Sequence, residues 1–320
     1  MSHDKTALVT GGAGFIGSNL VDALVTRHWH VKVIDNLATG RLANLKDHLS
    51  TGTVKFFQVD LKDFDRILEP VSDADLVFHF AGNPEVRLST TEPRIHFQEN
   101  VAATFNLLEA IRQRSRARKL IFASTSAVYG EPKEAKSTEE SALNPVSVYG
   151  ASKVCCEAFM QTYARLYGIG SACLRFANII GFRMKYGVLW DFAHKLLRNR
   201  NELEVLGDGK QVRSYLDVSD AIKAVLTVAD NPRGEFEAYN VGNKDSLSVD
   251  EVAGLVTSAI GSMPRRVYTP VLGGVGWLGD IKRIAMSTAK LEELGFTATM
   301  TSAQAVIHAF ECILSELRPS

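Results

Sequence analysis

Residues 6–17 read Thr-Ala-Leu-Val-Thr-Gly-Gly-Ala-Gly-Phe-Ile-Gly, an apolar run that leads directly into closely spaced glycines. The run over residues 7–9 predicts a buried parallel strand, and the glycines predict a turn into a helix beginning near Phe15. Gly11, Gly14 and Gly17 have the spacing for a tight turn, close approach of backbone amides to a pyrophosphate, and close helix–strand packing. The helix N-terminus would then hold the phosphates, because its free N–H groups and dipole favour an anion.

A second apolar run, residues 31–34, ends in Asp35. An acidic residue at this separation from the glycines meets the ribose hydroxyls of a dinucleotide. The carboxylate would repel a ribose that carries a 2′-phosphate, so the sequence predicts NAD rather than NADP. The alternative is a βαβ unit whose turn needs glycine for its own geometry.

Composition narrows the class of protein. The 320 residues are 46% hydrophobic and 22% charged, which is ordinary for a globular chain. Lys plus Arg equals Asp plus Glu at 36 each. The chain therefore has no net charge that would favour binding to nucleic acid or to a membrane surface. The sequence has neither a membrane-length apolar stretch nor a signal-peptide pattern, which predicts a cytoplasmic protein. Its four cysteines lack metal-ligand spacing, so no metal site is predicted.

Further apolar runs predict the rest of a doubly wound parallel sheet. Residues 54–59 predict a third strand, after which Asp60 either contacts the adenine edge or caps the following helix. Residues 75–80 predict a fourth strand, which ends at small residues that let backbone pass close to a cofactor. Residues 93–114 predict a long amphipathic helix, and residues 120–123 predict a fifth strand. Ligands of such sheets bind at the carboxyl ends of the strands.

Tyr149 and Lys153 are four residues apart on a predicted helix and therefore share one face of it. A phenol ionises only near roughly pH 10, but an ammonium one turn away, together with a nicotinamide cation, favours the phenolate. A phenolate of Tyr149 could take the proton of a substrate hydroxyl. Thr125, at the end of the fifth strand, can hydrogen-bond the same hydroxyl. Thr125, Tyr149 and Lys153 are therefore the candidate catalytic residues, a proton relay beside a hydride acceptor.

Short sequence motifs with glycine, aromatic or polar residues at fixed spacing occur along nearly the whole chain. They are Thr10-Gly-Gly-Ala-Gly-Phe-Ile-Gly17, Asp35-Asn-Leu37, Phe78-His-Phe-Ala-Gly82, residues 124–130, Tyr149-xxx-Lys153, Leu174-Arg-Phe-Ala-Asn178, Gly207-Asp-Gly-Lys-Gln-Val-Arg-Ser-Tyr215 and Gly276-Trp-Leu-Gly-Asp280. Together they resemble the extended short-chain dehydrogenase/reductase family, specifically its NAD-dependent nucleotide-sugar epimerases and dehydratases of the UDP-glucose 4-epimerase type. The resemblance implies an α/β fold, a Rossmann doubly wound parallel sheet with a smaller C-terminal α/β substrate-binding lobe.

The resemblance also implies which residues line the cofactor site. It makes NAD the cofactor and gives catalytic Tyr149 and Lys153 a second role in holding it. The other implied NAD-binding residues are Gly11, Gly14, Phe15, Ile16, Asp35, Asn36, Asp60, Leu61, Ala81 and Asn100.

A UDP-sugar is the implied substrate. Asn178 and Arg213 match residues that grip the nucleotide diphosphate, and a guanidinium suits this role because it can bind phosphate oxygens in pairs. A helix that begins at Val188, with residues 203–206, resembles the part that closes over the base. Asp280 matches a position that helps to hold the nucleotide. Thr125 and the adjacent Ser126 complete the implied substrate-binding set.

The domain boundary follows the same resemblance. Residues 1–176 are expected to form the NAD-binding domain, including the helix with Tyr149 and Lys153. Residues 177–320 are expected to form mainly the nucleotide-sugar-binding lobe, with a return segment near residues 213–245.

The implied chemistry starts with oxidation of the sugar at C4. Return of the hydride to the other face makes a 4-epimerase, which is the favoured function. Ser126 and Ala127 stand where 4,6-dehydratases usually carry an Asp-Glu pair, which argues against that reaction. A 5,6-elimination on UDP-N-acetylglucosamine, as in tunicamycin biosynthesis, stays open, with Glu85 or Cys156 as an extra acid or base. A catalytically silent NAD-binding sensor is a third alternative.

The resemblance finally implies an oligomer. The helices predicted over residues 93–114 and 149–167 resemble the pair that forms a four-helix bundle between subunits. A homodimer is therefore expected, without a nucleic-acid or membrane partner.

Overall fold

The structure is a computed structural model that describes residues 5–132 and 134–317. Within these residues the chain alternates short strands and helices, as the sequence predicts. The strands are β1 (Thr6–Thr10), β2 (His30–Asp35), β3 (Val54–Gln58), β4 (Leu76–His79), β5 (Lys119–Thr125), β6 (Gly170–Phe176), β7 (Asn178–Ile180), β8 (Glu202–Leu206), β9 (Val212–Arg213), β10 (Tyr215–Asp217), β11 (Phe236–Val241), β12 (Leu247–Ser248) and β13 (Arg265–Thr269).

The helices fall between these strands. The α-helices are α1 (Phe15–Thr26), α2 (Lys46–Ser50), α3 (Phe64–Val71), α4 (Leu88–Thr91), α5 (Arg94–His96), α6 (Ala103–Arg114), α7 (Val148–Tyr167), α8 (Val188–Arg198), α9 (Val218–Asp230), α10 (Val249–Ala259), α11 (Ala289–Glu292) and α12 (Ser302–Leu317). A π-helical segment covers Phe97–Ala102, and 3₁₀ turns cover Leu42–Leu45, Ser126–Val128 and Leu272–Gly274.

The main sheet has seven strands in the order β11-β6-β5-β4-β1-β2-β3. The neighbours β1–β2, β1–β4, β2–β3 and β4–β5 all pair in parallel. The first strand therefore lies inside the sheet, and the chain winds away from it in both directions, which is the doubly wound arrangement of a Rossmann fold. The predicted fold class is confirmed. Cofactor sites in such sheets form at the carboxyl ends of the strands, where the strand order reverses, which here is between β1 and β4.

The described chain divides into two compact units. The first contains residues 5–125, 148–175 and 225–239, and the second contains the rest. Residues 126–132 and 134–147 belong to the second unit, and the segment that returns to the first unit is 225–239. That one unit binds NAD and the other binds a nucleotide sugar stays a prediction.

The core of the first unit lies between the sheet and its helices. Leu8, Val77, Leu107 and Met160, from two strands and two helices, all have no exposed surface and belong to one apolar cluster. Each of these buried side chains contributes roughly 1.5–3 kcal/mol of transfer free energy. This packing fixes the strand ends from which the functional side chains project.

The predicted continuous helix over residues 93–114 is not a regular α-helix. It consists of α5, the π-helical segment Phe97–Ala102 and α6 in succession. The hydrophobic period does not reveal such a segment, because one wider turn changes the spacing only locally. The wider turn contains Asn100, whose side chain hydrogen-bonds the loop after β4 and α7.

The second unit carries three two-stranded sheets, β10–β7, β12–β9 and β13–β8. β10 pairs with β7 in parallel, and β13 pairs with β8 in parallel. α12 packs against β10, α10 and α8. Among the described helices, none combines the length and the apolar composition that spanning a lipid bilayer requires.

Candidate active site

The glycine loop between β1 and α1 is shaped by backbone contacts. Gly11 has φ of +68°, a conformation that glycine adopts without strain. A Cβ atom on Gly17 would lie 2.1 Å from the carbonyl oxygen of Gly11, so only glycine fits there. Gly14 is the N-cap of α1 and makes no side-chain cap hydrogen bond. The backbone N–H groups and the dipole at the N-terminus of α1 suit an anion.

Asp35 closes the loop on the side of β2. Its carboxylate accepts a hydrogen bond from the Ala13 N–H at 3.0 Å and from the Leu37 N–H at 2.8 Å. Burial raises the pKa of Asp35, and these two backbone hydrogen bonds partly oppose the shift. The carboxylate therefore holds together the loops after β1 and β2 at the edge where a ribose is expected.

Asn36 and Asp60 are joined directly. The Asn36 amide Nδ2 donates to Asp60 Oδ2 at 3.0 Å, and the Lys62 N–H donates to Oδ1 of the same carboxylate at 2.8 Å. The N-cap of α3 is Asp63, so the alternative that Asp60 caps this helix is wrong. Asp60 instead closes its own turn, and it brings the loops after β2 and β3 together.

Asn100 connects the loop after β4 to the helix that carries Tyr149. Its Oδ1 accepts from the Asn83 N–H at 2.8 Å, and its Nδ2 donates to the Ser152 hydroxyl at 2.9 Å. Ala81, at the start of the same loop, donates its N–H to the Thr10 hydroxyl at 3.3 Å. The small residues after β4 are therefore held against the end of β1.

The residues of this cradle fit a dinucleotide. Gly11 and Gly17 leave no room for side chains, the α1 N-terminus has no side-chain cap, and the Asp35 carboxylate lies at the end of β2. Phe15 and Leu61 are buried, whereas Ile16 is only partly buried. Because the anion site, the close backbone approach and the acidic ribose position occur together, the cradle suits NAD.

Thr125 and Tyr149 are in contact. The Thr125 side chain hydrogen-bonds the Tyr149 phenol, which lowers the phenol pKa. Burial acts more strongly in the opposite direction, and the net effect raises the pKa of Tyr149 to about 12. Without a further positive charge the phenol therefore stays protonated at neutral pH.

Lys153 lies one helical turn from Tyr149 and is buried. Its ammonium donates to the Ala123 carbonyl oxygen at 2.9 Å and lies 4.6 Å from the centroid of the Phe122 ring. The distance from its Nζ atom to the centroid of the Tyr149 ring is 6.0 Å. Burial lowers the pKa of Lys153. The ammonium thus supplies a nearby positive charge that is fixed by β5.

His96 is a neighbour of Tyr149 that the sequence analysis did not single out. The two rings meet edge to face with centroids 5.7 Å apart, and His96 has no exposed surface. Neither ring nitrogen has a hydrogen-bond partner among the described residues. Burial lowers the pKa of His96, so the imidazole is neutral beside the phenol. No motif marks this position, because the contact depends on how α5 packs on α7.

In the second unit, Arg213 and Asp280 form a buried ion pair. The Arg213 guanidinium donates to Asp280 Oδ1 at 2.8 Å and to the Lys282 carbonyl oxygen at 3.2 Å. It also donates to the carbonyl oxygens of Val212 and Ile281. Two residues predicted to bind substrate are therefore brought together, and the guanidinium is held in one orientation.

The other predicted substrate residues lie on short elements of the second unit. Ser126 is buried in the 3₁₀ turn that follows Thr125. Asn178 is the first residue of β7, and its N–H donates to the Ser214 carbonyl oxygen at 3.2 Å. Val188 is the first residue of α8, directly after Gly187, which has φ of +87°. Their roles toward a substrate stay predictions.

Two residues considered as extra acids or bases have other partners. The Glu85 carboxylate accepts two hydrogen bonds from the Arg87 guanidinium, each at 2.9 Å, and this contact lowers the pKa of Glu85. Cys156 has no exposed surface, and burial raises the pKa of its thiol to about 11. One group is thus a paired carboxylate and the other a buried neutral thiol.

Comparison with known proteins decides the family. The model of the NAD dependent epimerase/dehydratase family matches residues 7–242. The chain belongs to this family. The match confirms the predicted family and NAD as the cofactor, and the chain is therefore an enzyme.

Individual members of the epimerase/dehydratase family resemble this chain over nearly its full length. The UDP-glucose 4-epimerase of Mycolicibacterium smegmatis is 31% identical over 95% of this chain and 97% of its own. A crystal structure of a UDP-galactose 4-epimerase has a TM-score of 0.88 and 42% identity, covering 98% of this chain and 100% of its own. The UDP-glucose 4-epimerase of Thermus thermophilus, solved in complex with NAD, has a TM-score of 0.87 and 32% identity at the same coverage.

Proposed function

We propose that this family member is a UDP-sugar 4-epimerase that acts on a UDP-hexose or UDP-hexosamine. The observation that carries the proposal is the hydrogen bond between Thr125 and Tyr149, with the buried Lys153 ammonium one helical turn away. This group lies at the carboxyl end of β5, where ligands of a doubly wound sheet bind. The 4-epimerase activity of the similar proteins supports the same reaction.

The proposed mechanism gives each of these residues one task. When bound, NAD supplies a hydride acceptor at sugar C4 that later returns the hydride. Tyr149 takes the proton of the sugar 4-hydroxyl and gives it back after the 4-ketose has turned its other face. Thr125 holds the phenol and the hydroxyl in line. Lys153 favours the phenolate through its positive charge.

The raised pKa of Tyr149 explains why the relay needs positive charges. Burial outweighs the Thr125 hydrogen bond and keeps the phenol protonated, with a pKa of about 12. The Lys153 ammonium and a cationic nicotinamide both lower the free energy of the phenolate. We therefore expect Tyr149 to become a base only when the cradle is loaded, which couples proton removal to hydride transfer.

Elimination chemistry lacks a suitable second base among these residues. Ser126 and Ala127 follow Thr125 and have no carboxylates. Glu85 is tied to Arg87, and a lowered pKa makes it a weaker proton acceptor. Cys156 is buried and neutral. These properties favour epimerisation over both 4,6- and 5,6-elimination.

We further propose that the second unit binds the nucleotide part of the substrate. Arg213 would contact the diphosphate, and Asp280 would keep its guanidinium in one orientation. Asn178, Val188 and Ser126 would line the same site, as the family resemblance implies. Arg213 makes four hydrogen bonds to the protein through Nη1 and Nη2. They hold the side chain in place and leave its Nε–H for a phosphate oxygen, which reduces the ordering cost of binding.

We also propose a homodimer formed through α6 and α7. Phe105 on α6 is 41% exposed, and Leu166 and Tyr167 on α7 are 63% and 47% exposed. Phe105 packs edge to face on Tyr163 of α7 with centroids 6.3 Å apart, and Tyr163 packs on Tyr167 at 5.0 Å, so Phe105 and Tyr167 belong to one aromatic surface. A second copy would cover it as a four-helix bundle. Sedimentation of Phe105→Lys against wild type tests this, and an unchanged dimer would contradict it.

A cytoplasmic location is part of the proposal, since NAD and UDP-sugars are reactants there. Cell fractionation with an antibody against the native protein tests it, and recovery in the membrane or secreted fraction would contradict it.

The decisive test follows the product from purified enzyme supplied with NAD. UDP-glucose, UDP-galactose and UDP-N-acetylglucosamine are incubated separately without added reductant, and products are followed by mass spectrometry and proton NMR. An unchanged mass with inverted C4 is expected for at least one of them. Tyr149→Phe should abolish this product, whereas Tyr268→Phe, a change at an exposed residue of β13, should not.

Other outcomes would assign a different function. Loss of one water would establish a dehydratase, and vinylic protons with an intact C4 hydroxyl would specify 5,6-elimination. NAD binding without conversion of any of these sugars would favour the sensor alternative. Product formation by Tyr149→Phe would contradict the proposed mechanism.

A further inference from the structure

His79 is the last residue of β4 and is completely buried. Its two ring nitrogens are both engaged, Nδ1 with the Thr10 hydroxyl at 2.7 Å and Nε2 with the Thr104 hydroxyl at 2.8 Å. Burial and the nearby Lys153 lower the pKa of His79 to about 3. The imidazole is therefore neutral, and one nitrogen donates while the other accepts.

On the Thr10 side the contact leads to the cofactor cradle. Thr10 is the last residue of β1 and directly precedes Gly11. Its hydroxyl also accepts the Ala81 N–H at 3.3 Å. The His79 ring thus fixes the point at which the glycine loop leaves the sheet.

On the Thr104 side the contact leads to the catalytic helix. The Cys156 thiol of α7 lies 3.4 Å from the Thr104 hydroxyl and 3.4 Å from the Asn100 carbonyl oxygen. The Asn100 side chain continues to the Ser152 hydroxyl, which donates to the Tyr149 carbonyl oxygen at 2.7 Å. A continuous chain of buried polar groups therefore joins β1 to the first turns of α7.

A third contact leads to Lys153. The His79 ring packs on Phe122 with centroids 5.4 Å apart, and the Lys153 ammonium lies 4.6 Å from the centroid of the same Phe122 ring. His79 therefore supports the position of the ammonium through one intervening aromatic ring.

We propose that His79 is a positioning residue that holds the helix bearing Tyr149 and Lys153 in register with the glycine loop that cradles NAD. It touches neither the cofactor cradle nor the substrate side directly and acts through Thr10, Thr104 and Phe122. Since hydride transfer depends on the relative placement of these two elements, a small shift changes the rate more than the affinity. The inference rests on the proposed epimerase function.

The test uses variants that separate the two hydrogen bonds. His79→Phe keeps the contact with Phe122 and removes both bonds, His79→Gln can replace only the Nε2 contact, and His79→Asn only the Nδ1 contact. Thr104→Val removes the hydrogen bond to His79 Nε2 by changing its other partner, and Thr104→Ser keeps the hydroxyl. His48→Phe is the matched control, because His48 pairs with Asp22 in a partly exposed position of α2.

In the NAD-loaded enzyme, His79→Phe and Thr104→Val should each lower kcat by about 10- to 100-fold while KM changes less than about threefold. The double variant should lose little more than either single variant, because both break one chain. His79→Gln and Thr104→Ser should recover most of kcat, and His48→Phe should match wild type. Equal losses in all His79 variants would overturn the proposed route through Thr104.

A second readout does not depend on turnover. The ionisation of Tyr149 is measured by ultraviolet difference titration of each loaded variant against the same variant carrying Tyr149→Phe. His79→Phe and Thr104→Val should raise the pKa of Tyr149, because a shift of α7 away from β5 weakens the Thr125 hydrogen bond that lowers this pKa. A lowered melting temperature with unchanged kcat and unchanged Tyr149 titration would show a purely structural role. If wild type converts no UDP-sugar, the proposed function fails, and the titration still decides the role of His79.

Discussion

Arg213 and Asp280 form an ion pair of 2.8 Å in which both side chains are nearly buried, 11% and 5% exposed. Asp280 also accepts the N–H groups of Gly276 at 3.1 Å and Ile281 at 3.0 Å. The residue expected to grip a diphosphate is thus also a structural tie between β9 and the segment that holds Asp280. Substrate affinity and local stability should therefore depend on the same guanidinium.

Arg213→Met should lower the free energy of unfolding by about 3 kcal/mol, because it leaves the Asp280 carboxylate buried without its cation. Arg265→Met, which breaks the exposed pair with Glu202, should cost at most about 1 kcal/mol. Urea unfolding without substrate measures both. Equal losses in the two variants would contradict the structural role of Arg213.

Thr125→Val should move the acidic limb of the kcat–pH profile to higher pH. The Thr125 hydrogen bond lowers the pKa of Tyr149, so its removal raises that pKa and less phenolate is present at a given pH. Thr125→Ser keeps a hydroxyl and should restore the limb. Steady-state rates across pH measure the shift, and an unmoved limb in Thr125→Val would show that Tyr149 is not the titrating base.

Gly17→Ala should abolish NAD binding or prevent folding, since its Cβ would lie 2.1 Å from the Gly11 carbonyl oxygen. Gly254→Ala is the matched change inside a helix, where the nearest atom is Arg266 Nη2 at 3.4 Å. It should be neutral or stabilise by up to about 1 kcal/mol. Thermal unfolding and calorimetric titration with NAD separate the two effects. Normal NAD affinity in Gly17→Ala would refute the packing argument.

A buried ion pair joins α7 to β6 in the first unit. The Glu157 carboxylate contacts the Arg175 guanidinium at 2.7 Å, and both side chains are at most 5% exposed. Arg175→Met should cost about 3–5 kcal/mol because Glu157 is left unpaired. The double variant Glu157→Leu with Arg175→Met should recover part of this loss. Denaturant unfolding of the single and double variants measures it, and simple additivity would contradict the coupling.

The sequence predicts the parts of this molecule that follow local rules. The glycine spacing, the alternating apolar runs and the helical spacing of Tyr149 and Lys153 depend only on chain geometry, so the strands and helices form close to their expected positions. NAD as cofactor follows from the same pattern and is confirmed by the family.

Other features depend on packing between distant segments and leave no local pattern. The π-helical segment around Asn100, the edge-to-face contact of His96 with Tyr149 and the ring contacts of His79 each need the three-dimensional neighbours. The raised pKa of Tyr149 is of the same kind, because the sequence shows the cation but not the extent of burial.

The two backbone hydrogen bonds at Asp35 bear on any attempt to redesign the enzyme for a phosphorylated dinucleotide. The carboxylate that would repel a 2′-phosphate also anchors the loops after β1 and β2, through Ala13 and Leu37. Replacing it with a small neutral residue would remove the repulsion and release both loops at once. We therefore expect that a change of cofactor preference at residue 35 requires a rebuilt loop as well as an exchanged side chain.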